Sequence, residues 1–201
     1  MAHRIKSARG DWVKQLRFDM QFAERTLVKQ GSVNAMYVVH TKDAVHAIPT
    51  PWRDDAEKAA YLDMVRVYAI AHEAIAVVHI GEAWIRHLVQ AHNESEAEFD
   101  ARAHAVLPRN AEDRREVVSI HIAYYDDAGE RKVISDTKEI DRRADGKPLG
   151  LKPYRDDYRG WDVVGGAVVE VLPEQAPSMA ERFAAQAILK SAGMAEPHRD
   201  S

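Results

Sequence analysis

The sequence predicts an α+β domain: a mostly antiparallel sheet of five to six strands, packed by an N-terminal helix, a helix after the first hairpin and a C-terminal helix. Three observations carry that expectation. Apolar residues recur at three- and four-residue spacing in three separate segments, which is the helical period. β-prone runs come in pairs around turn-rich connections too short for the crossover that parallel strands need. The resulting order of helix, two strands, helix, strands and helix lacks the regular strand-helix alternation of a doubly wound fold.

In the first segment, Val13, Leu16, Met20, Ala23 and Leu27 form one stripe, Asp11 stands ready to cap its start and Gly31 to end it. Trp12, Phe18, Phe22 and Val28 widen the apolar surface, so the helix is expected to lie on a sheet or on a second subunit. Met36 to Thr41 and Val45 to Ile48 read as a hairpin around Lys42-Asp43-Ala44, closed by Pro49 and Pro51. Asp54 stands three residues before Glu57, the capping-box spacing, and Tyr61, Leu62, Val65, Tyr68 and Ala69 continue a helical stripe to about His72.

Ala74 to Trp84 opens with a continuous apolar run, as a strand covered on both faces requires. Residues 85–115 lose periodicity and read as a surface excursion with a short helix from Ser95 to Ala105. Glu116 to Tyr125 and Arg131 to Arg142 flank Asp126-Asp127-Ala128-Gly129-Glu130 and predict a second hairpin. A polar stretch follows, then a strand from Trp161 to Leu172 with Gly165-Gly166 as a bulge. Ser178 caps a last helix, with Met179, Phe183, Ala187 and Ile188 expected to face the core and Gly193 to end it. Residues 1–201 read as one domain, with residues 1–10 and 194–201 as flexible ends.

With 46% apolar and 30% charged residues, the chain sits at ordinary globular values. A formal net charge of -4 argues against nucleic acid and anionic membrane as partners, because both need a clustered positive field. There is no cysteine, which removes disulfides, thiolate metal sites and thiol nucleophiles. No apolar leader region follows Met1 to Gly10 and no window suits a membrane span, so a cytoplasmic protein is expected.

The residues Ile48-Pro49-Thr50-Pro51-Trp52-Arg53-Asp54-Asp55 and Gly81-Glu82-Ala83-Trp84, with the hairpins around them, resemble a pattern in a group of uncharacterised bacterial α+β proteins. The resemblance spans roughly residues 36–142 and implies the fold, with no activity to transfer.

The densest set of ligand-type residues is His72, Glu73, His79, Glu82, His87 and His92, but the His-Glu-x-x-His spacing that brings two imidazoles to one ion is missing. On a strand, His79 and Glu82 fall on opposite faces and cannot chelate together. No metal and no cofactor is therefore expected. Gly-x-Ser-x-Gly and P-loop spacings are absent as well.

Glu82 and Trp84, at the end of a central strand, are candidate binding residues, with Trp52 as a second aromatic wall and His79 and Arg86 alongside. The structural alternative has Trp84 filling the core edge, Glu82 paired with Arg53 or Arg86, and His79 partly buried with a hydrogen-bond partner. Arg114, Arg115, Arg142, Arg143, Lys152, Arg155 and Arg159 suggest a basic surface, yet Glu112, Asp113, Glu116, Asp141 and Asp145 interleave with them.

Three functional readings follow. The first is a non-catalytic binding or protein-interaction domain, homo-oligomeric through the first helix, with no small-molecule ligand assigned. The second is a metal-dependent or acid/base hydrolase centred near Glu82 and His79, with residues 85–115 as a lid. The third is a nucleic-acid accessory protein.

Overall fold

The computed structural model describes residues 10–85, 91–105, 110–112, 114–154 and 171–194. Its elements are α1 (Trp12–Gln30), β1 (Met36–His40), β2 (Val45–Pro49), α2 (Asp55–Ala71), β3 (Ala76–Ile85), α3 (Glu96–Ala105), β4 (Arg115–Tyr125), β5 (Arg131–Arg142), β6 (Pro148–Pro153) and α4 (Met179–Ser191). Among the described residues the strands form one antiparallel sheet in the order β2-β1-β3-β4-β5-β6. This is the expected α+β architecture. No helix is long and apolar enough to cross a membrane among these residues.

Alternation along each strand divides the sheet's side chains between two layers. Val38, Val78, Ile122 and Ile134 stand in one cross-strand row and meet α1, whose Trp12, Met20, Ala23 and Leu27 complete that core. Asp11 accepts the Lys14 amide at the start of α1, and Gly31, at φ +88°, turns its amide back to the Leu27 carbonyl at the end. The apolar stripe of α1 therefore lies on the sheet from Leu16 onwards; Val13, expected in that stripe, is corrected to the outer face, where it stands 55% exposed with Arg17, Gln21, Arg25 and Val28.

The other face carries α2. Val65 and Ala69 of α2 pack on Tyr37, Val39, Val77 and Ala123, and α4 lies on the outside of α2 through Ala185 and Leu189. Here the expected orientation of the last helix is corrected. Met179, Phe183 and Ile188 are 68%, 64% and 53% exposed and Ala187 is exposed as well, because α4 packs against α2 through a narrow seam of Ala185 and Leu189. Polar bonds select that seam: Gln186 donates to the Ala71 carbonyl at 3.1 Å and Arg182 pairs with Glu73 at 2.8 Å. Ser178 caps α4 in a full capping box with Glu181, as the sequence indicates.

The second hairpin closes where expected. Asp126 accepts the amides of Ala128 and Glu130, and Gly129 takes φ +77° in the turn. The sixth strand corrects the reading of residues 148–153 as polar connection. Among the described residues it is an edge strand, bounded by Pro148 and Pro153 and paired on one side only, so it needs little apolar sequence. Glu24 of α1 reaches over to accept the Leu151 amide at 3.0 Å. Of the strand expected from Trp161 to Leu172 only Val171 and Leu172 are described; both are buried and neither is in a strand, which corrects that end of the expectation. Arg86, Arg155, Arg159 and most of both termini lie outside the described residues.

Candidate functional site

The sheet separates the residues singled out in the sequence. Glu82 and Trp84 share the α1 face with Ile80, whereas His79 stands on the α2 face beside Tyr37 and Trp52. No centre can form between Glu82 and His79.

Glu82 has a structural role. Its carboxylate accepts the Val33 amide in the connection from α1 to β1, and burial raises its pKa against the pull of that bond. Of the two expected arginine partners, Arg53 is bound to Glu57 and Arg86 lies outside the described residues; the charges acting on Glu82 are those of Glu116, which raises its pKa, and of Arg142, which lowers it and is itself held by Glu116 through two bonds of 2.6 and 2.8 Å. Trp84 does not fill the core edge. It is 41% exposed with the Arg114 guanidinium 4.8 Å above its ring, because it sits near the strand's end, past the cover of α1.

On the opposite face, register assembles a different set. Tyr37, His79, His121 and Ser135 are cross-strand partners in one row from β1 to β5. Two residues along each strand, Gly81, Ser119 and Thr137 form the next row on that face. Ala35 extends this row, since its methyl lies 3.7 Å from where a Gly81 Cβ would stand, and the Thr50 amide continues the ladder to the Ala35 carbonyl at 3.0 Å. No side chain in this second row is larger than threonine. The row of small side chains is a trough in the side-chain layer, bordered by a phenol and two imidazoles, and at Gly81 the His79 ring leans over it.

Local structure places the aromatic rim. The Trp52 amide donates to the Thr50 carbonyl at 2.9 Å, a three-residue turn centred on Pro51, whose fixed φ suits it. Asp54 then caps α2 by accepting the Glu57 amide, while Glu57 accepts the Arg53 amide and guanidinium. So pinned, the Trp52 indole lies nearly parallel to His79, at 15° with centroids 6.2 Å apart, and the Lys58 ammonium lies 5.7 Å from the indole centroid. His79 is in turn nearly parallel to His121, at 20° and 6.3 Å, and 4.9 Å from the Tyr37 ring.

The polar atoms of this site are buried without partners. Among the described residues seven buried side-chain nitrogens and oxygens have no hydrogen-bond partner, and four of them are Tyr37 Oη, Thr50 Oγ1, His79 Nε2 and His121 Nδ1. The expectation that His79 is satisfied by a partner is thus corrected at Nε2. Each such group costs about 1 to 3 kcal/mol if nothing meets it, so these four make up most of the unmet polar cost among the described residues. Burial, aided by the charges of His121 and Lys58, lowers the His79 pKa to about 4, and burial lowers that of His121 as well. Both rings are neutral at pH 7, each with one N–H to give and one lone pair to receive.

Gly81 makes room for this arrangement. An added Cβ would stand 3.2 Å from His79 Cε1 and 3.4 Å from Nε2. Gly81→Ala is expected to tilt the imidazole away from the trough while costing only about 1 kcal/mol of stability. A changed His79 ring chemical shift, with a nearly unchanged urea midpoint, would show this; an unmoved ring would mean that the imidazole is not resting on the glycine.

The basic surface suggested by sequence is largely internally paired where it is described: Arg142 with Glu116, Lys152 and Arg115 with Glu139, and Lys147 with Asp145. No group of three or more His, Asp or Glu side chains suited to a metal ion occurs among the described residues. Tyr37, Thr50, Gly81, Ser119, His121 and Thr137 escaped the sequence reading. Their alternation is visible in each strand, but the register that aligns β1, β3, β4 and β5 is not. No protein-family model, curated protein or solved structure matches the chain significantly, so the chemistry of this site rests on its own residues.

Proposed function

We propose that the protein is a small-molecule-binding domain whose ligand lies in the trough across the α2 face of the sheet, held without chemical change. One observation supports this reading above the rest: the four unpartnered polar atoms of Tyr37, Thr50, His79 and His121 gathered beside a row of small residues. A binding role fits better than catalysis. The imidazoles adjoin no cysteine or activated serine, since the Ser119 hydroxyl is bonded to that of Thr137 at 3.0 Å. A cysteine-free chain of this kind suits a reducing cytoplasm.

Self-association through α1 finds less support. Such a contact would have to use Val13 and Val28, which stand among Arg17, Gln21 and Arg25 on the helix's outer face.

Native mass spectrometry of gently purified protein tests the binding role. A stoichiometric small-molecule adduct is expected, lost in His79→Ala and His121→Ala variants that retain their circular dichroism. An adduct-free spectrum, together with ordered waters filling the trough in a crystal structure, would overturn the reading and make the four groups a hydration site.

A further inference from the structure

Packing sorts the charges of α1. From Asp11 to Gln30 the chain holds three acids and four cations, and every acid is drawn away from the helix's outer face. Asp11 accepts the Lys14 amide at the helix start, Asp19 is 2% exposed beneath the helix, and Glu24 bends to the Leu151 amide at the sheet's edge. Lys14, Arg17, Arg25 and Lys29 are all exposed, and none of them makes an ion pair among the described residues. Elsewhere arginines are mostly neutralised: Arg53 by Glu57, Arg115 by Glu139, Arg142 by Glu116 and Arg182 by Glu73.

Helical geometry sets these cations in a row. Arg17, Gln21, Arg25 and Lys29 follow one another at four-residue steps, a rise of about 6 Å each, and Lys14 stands one turn before Arg17. That repeat is close to the distance between successive phosphates of a nucleic-acid strand. Guanidinium groups bind phosphate through paired N–H bonds, and the Gln21 amide supplies a further donor between them. Membrane adsorption fits less well, because an interfacial helix must sink its apolar side and that of α1 is sealed against the sheet by Met20, Ala23 and Leu27. Phe18, the aromatic nearest the row, is half-buried with the Lys14 ammonium 5.7 Å from its ring, so the face offers no platform on which single-strand bases would stack. A duplex, whose phosphates are already held at fixed spacing, matches a rigid helix better. The net charge of -4 does not cancel this local field, because exposed charges more than about 10 Å apart are largely screened at ordinary ionic strength.

We infer that the outer face of α1 is a docking surface for the phosphate backbone of a nucleic-acid duplex, with Arg17 and Arg25 as its principal contacts and Lys14, Gln21 and Lys29 beside them. Such a contact holds phosphates and reads no sequence. It lies across the sheet from the trough, so it acts whether or not the trough is occupied.

Fluorescence anisotropy of a labelled DNA duplex of about 20 base pairs, titrated with the full chain, tests the assignment. With four phosphates neutralised, affinity is expected to fall about a hundredfold between 50 mM and 200 mM salt, alike for two unrelated sequences. Arg17→Gln combined with Arg25→Gln is expected to weaken binding about tenfold at the lower salt and to make the salt slope shallower by about two. Arg66→Glu makes the same change in net charge at an exposed position of α2, on the other face of the sheet, and is expected to leave both quantities nearly unchanged. Absence of binding at the lower salt, or equal losses in the α1 and α2 variants, overturns the inference. Retention on vesicles of equal phosphatidylcholine and phosphatidylserine with none on the duplex overturns it too, and would make α1 a membrane contact.

Discussion

Replacing Asp19 by asparagine will stabilise the protein at pH 8 by roughly 2 to 4 kcal/mol and leave it almost unchanged at pH 3. Asp19 lies on the sheet-facing side of α1 at 2% exposure; the Gln15 amide donates to its Oδ1 at 2.9 Å, and its Oδ2 has no partner. Burial raises its pKa from 3.8 to about 7, against the opposing pull of the Gln15 bond. The folded state thus holds its proton more tightly than the unfolded chain does. The favourable contribution is complete below 3.8 and is lost as pH rises towards about 7. At about 1.4 kcal/mol per pH unit the full loss is on the order of 4 kcal/mol.

Asparagine keeps the Oδ1 acceptor and cannot ionise, so it imitates the protonated acid at every pH. Urea unfolding midpoints at pH 3, 5, 6.5 and 8 give the answer. A constant difference between variant and wild type across that range would show that Asp19 titrates normally and that the shift has no thermodynamic weight.

The second large effect has the opposite sign in pH. His40 closes β1 beneath α1, 1% exposed, edge-on to Trp12 with ring centroids 5.5 Å apart, and both its ring nitrogens lack partners. Burial depresses its pKa from 6.5 to about 4. The folded state therefore refuses a proton that the unfolded chain accepts. Stability present above pH 6.5 is lost as pH falls through about 4, by about 3 kcal/mol for this residue alone.

His40→Leu fills a similar volume and removes both orphaned nitrogens, so it is expected to gain about 1 kcal/mol at pH 7.5 and about 3 kcal/mol more by pH 4. His79 adds its own acid loss with the same sign, whereas Asp19 gains stability over the same descent. The wild-type profile is flattened by this opposition. Asp19→Asn will therefore fall more steeply in acid than wild type, and His40→Leu less steeply. Parallel acid branches for all three proteins would exclude both assignments.

Much of the fold was legible because its determinants are local. Asp11, Gly31, Asp54 and Ser178 mark helix ends through bonds to amides or carbonyls within four residues, and each acts as a cap in the structure. Asp126 and Gly129 likewise set the second hairpin from within the turn. The apolar run at β3 predicted a central strand because coverage on both faces excludes alternation with polar residues.

The failures have a common cause. Met179, Phe183 and Ile188 look like a core stripe because hydrophobicity does not state which partner a helix meets, and α4 meets α2. Residues 148–153 carry little strand signal, because an edge strand needs one neighbour and little burial.

The candidate site shows the same division. By itself the sequence determined that His79 and Glu82 lie on opposite faces, because a strand's side chains alternate with a period of two wherever the strand is placed. It also determined the turn and cap that hold Trp52 beside α2, because those bonds span four residues or fewer. Only the tertiary structure decided that His79 meets His121 and Tyr37, and that Gly81, Ser119 and Thr137 align beneath them. Tyr37, His79 and His121 come from strands about forty residues apart in the sequence, and their register is fixed by the fit of two cores on either side of the sheet, a property of the packed chain and of no single segment.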